Sequence, residues 1–236
     1  MQKQPRKISA DEMEALFTFT RQHYVEFYDL QAELADHLAN AIEAQWEADP
    51  NVSFSIALDR EFKKFGIFGF TDIVERRKAH LSKRYRRIAW GYFKEFFTLP
   101  KVMLTLALIG LYWLLLVKLS YGGTIAMVSV IILSAVSLYY AIRQNRFHAR
   151  KAKIEGKRWL FEEMIFNAGM ITFIITPQLL LRSWDLFGTA FSNQWTALAF
   201  ASAFVSFTIL QYVMLIRIPK QAQEHLEKIY PEYRVT

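Results

Sequence analysis

Apolar residues follow two patterns along this chain, and the patterns imply two solvents. Through residues 1–99 they recur every three or four positions among frequent charges. Between Pro100 and Ile216 they gather instead into four runs of roughly 20 residues. A helix rises about 1.5 Å per residue, so each run is long enough to cross a hydrocarbon core about 30 Å thick. The runs cover about 102–121, 123–142, 160–181 and 195–216. Gly122 and Gly123 join the first two as a tight hairpin.

The first part predicts short amphipathic helices. Ser9-Ala-Asp-Glu12 is a capping box, followed by a stripe of Met13, Leu16, Phe17, Thr20 and Tyr24 at helical spacing. A second helix is expected from about Asp29 to Glu47, with Leu30, Leu34, Leu38, Ala41, Ile42 and Trp46 inward. Ser53 caps a third, which carries Ala57, Leu58, Phe62 and Phe65 and stops at Gly66, the expected left-handed residue. From Thr71 a basic helix runs to about Phe97, and Pro100 suits the first turn of the first span. Such a helix would couple the small domain mechanically to that span. The expected fold is all-α: an integral membrane four-helix bundle at 100–217, a cytoplasmic three-helix domain at 1–70, a basic juxtamembrane linker at 71–99 and a cytoplasmic tail at 218–236.

Charge then fixes the expected orientation. A net charge of +7 would suggest nucleic acid in a soluble protein, but here the cations crowd beside the apolar runs. Arg76, Arg77, Lys78, Lys83, Arg84, Arg86 and Arg87 precede the first span, and a second basic cluster, Arg143 to Arg158, separates the second span from the third. The opposite side is nearly free of cations, so both termini are expected in the cytoplasm, with the chain in the cell's inner membrane. Residues 1–10 are polar and no apolar signal segment follows. The basic run is expected to meet anionic lipid headgroups rather than nucleic acid. Tryptophans and tyrosines gather at both proposed boundaries, and Lys118, one turn from an outer end, is expected to snorkel.

Small residues in the fourth span, Ala197 with Ala201 and Ser202 with Ser206, allow close packing within the chain or a homodimer through that helix. The third span is the most polar, with Asn167, Pro177 and Gln178, and a kink is expected near Pro177. No charged residue falls near a bilayer midplane, which disfavours ion-coupled transport.

Candidate chemistry is sparse. Glu33 and His37 share a helix face as metal ligands can, but the sequence offers no third ligand beyond His23 or His80, so surface hydrogen bonding is the better reading. Cysteine is absent, and no phosphate loop, nucleophile elbow or paired-carboxylate motif is found. Neither an enzyme nor a cofactor is expected; Glu162, Glu163 and His148 form the one grouping that membrane chemistry could use.

The string Tyr28-Asp-Leu-Gln-Ala-Glu33-Leu-Ala-Asp36-His37-Leu-Ala-Asn-Ala-Ile42, followed by Ser53, Ala57-Leu58, Phe62 and Phe65-Gly66, resembles the HAAS type of bacterial N-terminal domain. The resemblance covers about residues 10–70. It implies a signalling or interaction domain on a membrane protein, often associated with PadR-like transcriptional regulators, and no enzyme. The expected function is a membrane-anchored regulatory protein that docks a cytoplasmic partner through Glu33, Asp36 and His37. The alternative is a small transporter or accessory subunit.

Overall fold

A computed structural model describes residues 6–168 and 193–230, and every regular element among them is helical. The chain folds as two units: unit 1 is Met1–Ser82 with Glu155–Phe161, and unit 2 is Lys83–Ile154 with Glu162–Thr236.

Unit 1 contains α1 (Ala10–Gln22), α2 (Tyr28–Ala48), α3 (Phe54–Lys63) and the start of α4 (Thr71–Lys94). The capping box forms as expected: Ser9 Oγ accepts from the Glu12 amide and Glu12 accepts from the Ser9 amide. Ser53 Oγ likewise accepts from the Ile56 amide at the start of α3. The core takes one stripe of each helix, with Leu16, Leu30, Leu38, Ile42 and Ala57 fully enclosed. Burying each large side chain contributes about 1.5–3 kcal/mol. Trp46 is also buried, and its indole N–H donates to the Val52 carbonyl at 2.9 Å, so the polar edge of the ring keeps a partner.

Tyr24 corrects the expected first stripe. It is 91% exposed, because α1 ends at Gln22 and Tyr24 takes a left-handed conformation, φ 63°. The Val25 amide reaches back to the Thr20 carbonyl and the Tyr24 amide to that of Arg21, a Schellman closure with tyrosine where glycine is usual. Val25, one residue on, is buried instead.

Residues 155–161 complete unit 1, although they lie far along the chain. The Asp29 carboxylate accepts from the Leu160 amide at 3.2 Å, the Tyr28 amide donates to the Arg158 carbonyl at 2.7 Å, and Arg158 pairs with Glu26 at 2.7 Å. Trp159, 1% exposed, packs edge-on to Tyr28.

Unit 2 holds the end of α4, a 3₁₀ turn at Glu95–Phe97, α5 (Lys101–Lys118), α6 (Gly122–Glu155), a helical segment α7 at 160–168, α8 (Gln194–Lys220) and the short α9 (Ala222–Glu227). Helices α5, α6 and α8 are long and apolar enough to cross a membrane. Only 11% of α5 is buried within the protein, and Met103, Leu104 and Leu106 stand out from it. Hydrocarbon is the solvent that such a surface suits. Of the expected third span only 160–168 is described; Pro177, Gln178 and the kink expected there lie outside the described residues.

The expected connection after the second span is mostly helix. Nothing in the sequence breaks α6 after Ile142, so it runs 34 residues, about 51 Å, before Gly156 turns the chain at φ 66°. Its basic residues therefore ride on helical turns beyond the apolar stretch.

The hairpin between α5 and α6 is as tight as the two glycines suggest. A methyl group on Gly122 would overlap the Leu116 carbonyl. Around it Leu116, Ala126, Ala197 and Ala201 form one buried cluster, against which Tyr112, Trp113 and Phe200 pack. Ala197 and Ala201 thus serve contact within the chain, while Ser202 and Ser206 are half-buried.

At the other end of the spans, polar groups tie the elements together. The Thr105 hydroxyl donates to the Phe96 carbonyl at 3.0 Å, and Arg217 sits 3.5 Å from Glu95 and over the Tyr92 ring. The Tyr92 hydroxyl lies 3.2 Å from His225 Nε2, and burial lowers the pKa of His225, favouring its neutral ring.

Gly122→Ala should destabilise the full chain by about 1–3 kcal/mol, because the backbone must separate at the turn. Gly110→Ala, where no atom lies within 4 Å of the added methyl, should be neutral or slightly stabilising. Thermal unfolding in detergent checks both, and equal melting of the two variants would refute the close-approach argument.

Candidate docking face

The outer face of α2 follows from its inner one. Leu30, Leu34, Leu38 and Ile42 recur every four residues into the core, so Glu33, Asp36, His37 and Asn40 face solvent. The Asn40 amide donates to the Asp36 carboxylate at 3.3 Å, one helical turn back. Arg77 on α4 lies 3.9 Å from Glu33, and the His37 ring is 6.2 Å from that of Phe65, edge-on. The three residues expected to dock a partner therefore share an exposed surface, rimmed by a guanidinium and an aromatic ring.

His23, considered as a further ligand for Glu33 and His37, has another role. Its Nδ1 lies 2.8 Å from the Phe19 carbonyl, and its ring packs on Phe19 and Phe62 at 4.1 and 4.3 Å. Among the described residues no group of three histidine, cysteine, aspartate or glutamate side chains could hold a metal ion.

Two large apolar residues were missed by the sequence reading, which took Gly66 only as a helix stop. Ile67 is 94% exposed and Phe68 is 65% exposed. They sit on a turn whose ends, Gly66 and Gly69, both have positive φ, while the next residue, Phe70, is buried in the aromatic cluster of Phe19, Phe62 and Phe65. The signal was present: two glycines bracket two hydrophobic residues where no helix can continue.

The basic helix spreads its charge around its axis. Arg77 and Lys78 are half-buried beside Glu33 and Glu75, Arg76 bonds the Asp72 carbonyl, and Arg84 is half-buried. Lys83, Arg86 and Arg87 point outward. Its buried side carries Leu81, Tyr85 and Ala89, and burial raises the Tyr85 hydroxyl pKa well above its usual value.

In unit 2 the grouping expected around His148 comes together in part. Glu162, 3% exposed, accepts from Lys151 at 2.8 Å, and its carboxylate lies 3.7 Å from His148 Nδ1, beyond hydrogen-bond length. His148 is itself buried and stacks on Phe166 at 5.3 Å. Glu163 and Asn167 are half-buried on α7. The arrangement pairs a buried carboxylate with a lysine ammonium.

Asp36→Ala and His37→Ala should each change stability by less than about 0.5 kcal/mol, since neither side chain is enclosed. Leu38→Ala, next in sequence but fully buried, should cost about 2–5 kcal/mol. Denaturant unfolding of the three variants separates face from core. No family model matches the chain, and no curated protein or solved structure matches it either, so its function has to be argued from its own residues.

Proposed function

We propose that this chain is a four-span, membrane-anchored interaction protein whose unit 1 docks a cytoplasmic protein partner, with both termini on the cytoplasmic side of the inner membrane. The observation that carries the docking reading is the exposure of Ile67 and Phe68 on an otherwise well-packed helical unit. Apolar side chains held out on a turn fixed by two positive-φ glycines are poor for solubility and good for binding. They lie two and three residues beyond Phe65, which packs edge-on to His37. A partner seated here would cover an apolar anchor and meet Glu33, Asp36 and His37 as a polar rim. The resemblance of this stretch to HAAS domains agrees, and a PadR-like regulator is the partner that it suggests.

Four spans, rather than three, are favoured by parity. Arg217 and His225, beyond the apolar part of α8, meet Glu95 and Tyr92, which precede α5. A chain that starts and finishes on one side of a bilayer has crossed it an even number of times. The expected span at 160–181 supplies the even count, and the concentration of cations at this end favours the cytoplasm.

Reporter fusions test the topology: a reporter after Gly123 should be active outside and one after Lys153 inside, and the reverse pattern would refute the orientation. For docking, the tagged full chain is purified from membranes beside Asp36→Ala/His37→Ala and Ile67→Ser/Phe68→Ser. A cytoplasmic partner should be retained by the wild type and fall at least fivefold in both variants. Unchanged recovery from both would sink the proposed face.

A further inference from the structure

Pro219 lies near the end of α8, where a helix can tolerate it only by rearranging. It has no N–H to give the Leu215 carbonyl four residues back, and its ring crowds that carbonyl. The helix widens into a π-helical turn over Val213–Arg217, and the Gln144 side-chain amide, from α6, donates to the Leu215 carbonyl in place of the missing N–H. The widened turn and α6 enclose a groove of about 390 Å³ within unit 2. That volume falls in the range of roughly 300–1,000 Å³ typical of small-molecule sites.

The walls of the groove divide by chemistry. Tyr140, Phe147 and Ile216 give it an apolar surface, and Arg143 and Lys220 each add a cation. Both cations are exposed, and among the described residues neither has a carboxylate partner. On α6 the apolar run ends at Ile142, so Arg143 stands where hydrocarbon gives way to headgroups. On α8 Lys220 lies one turn beyond Ile216, so both helices change from apolar to basic at the groove. At this boundary the apolar wall suits an acyl chain and the two cations suit a headgroup phosphate.

We propose that this groove is a binding site for an anionic phospholipid, with the phosphate between Arg143 and Lys220 and the acyl chain along Tyr140 and Ile216. Two cations converging on one phosphate give selectivity over zwitterionic lipid, and the apolar wall gives selectivity over free phosphate. The inference rests on membrane insertion and is independent of the docking reading, so either can fail alone.

Native mass spectrometry of the detergent-solubilised full chain, titrated with phosphatidylglycerol or phosphatidylcholine, tests it. One phosphatidylglycerol should be retained with at least tenfold preference. Arg143→Gln/Lys220→Gln should weaken it roughly tenfold to thirtyfold, as expected for two headgroup contacts. The charge-preserving Arg143→Lys/Lys220→Arg should hold the lipid within about threefold of wild type. The comparison is Lys83→Gln/Arg87→Gln, which removes two exposed cations from the basic helix and should leave that one lipid bound. Equal loss from the two glutamine pairs would mean diffuse attraction and overturn the proposal. So would displacement of the lipid by millimolar inorganic phosphate, or equal retention of the two lipids.

Discussion

In hydrocarbon there is no water to satisfy a peptide group, so each backbone N–H and C=O has to find its partner inside the protein. The membrane half of this chain is arranged around that constraint. Its apolar stretches are helical throughout the described residues, and where a helix cannot supply a bond a side chain does so. Gln144 serves the Leu215 carbonyl that Pro219 leaves open, and between side chains the Ser137 hydroxyl donates to the buried Gln211 at 2.9 Å. Close packing then depends on small residues: Ala126, Ala197 and Ala201 let helices approach, and Gly122 lets the chain reverse without overlap. The same rule fits the widened turn before Pro219, where a side chain takes up the carbonyl that the proline leaves open.

Unit 1 answers to water instead. Its helices bury one stripe each, and its free helix ends are capped by Ser9 and Ser53. Its N-terminal segment is drawn onto α2, where Lys7 and the Ile8 amide both bond Glu43 and hold that carboxyl below its usual pKa. Against this economy of surface, the outward Ile67 and Phe68 and the strained Tyr24 stand apart, since none of the three adds to the core. Left-handed backbone at a tyrosine costs about 1–2 kcal/mol relative to an ordinary conformation. Features that lower stability and expose apolar surface are the ones for which binding gives a physical reason.

What could be read from the sequence was what depends on near neighbours. The capping box needs four residues, the Gly66 turn needs one, and span length needs an uninterrupted apolar run; all are visible in a short window. The exposure of Glu33, Asp36 and His37 was legible too, because a helix that buries Leu30, Leu34 and Leu38 has to expose the positions between them. Tyr24 failed because helical spacing says nothing of where a helix stops, and the stop is set by the Thr20 and Arg21 carbonyls. The capture of Leu160 by Asp29 joins residues 131 apart, and the Gln144–Leu215 bond joins residues 71 apart. No periodicity carries such pairs. The groove was hidden for the same reason: its two halves are ordinary stripes until the helices are brought together.

The pairing of Asp29 with the Leu160 amide has a further consequence for synthesis. Unit 1 includes residues 155–161, which leave the ribosome only after α5 and α6 have been made. The N-terminal helices can collapse early on their own apolar stripes, but Asp29, Tyr28 and Glu26 wait for partners that follow two long apolar helices. Completion of the small unit therefore waits on synthesis of α5 and α6: only a chain that has brought residues 155–161 back to α2 carries the segment that finishes it. Unit 1 is thus discontinuous along the chain although continuous in space, and a chain that stopped before Glu155 would lack part of its fold.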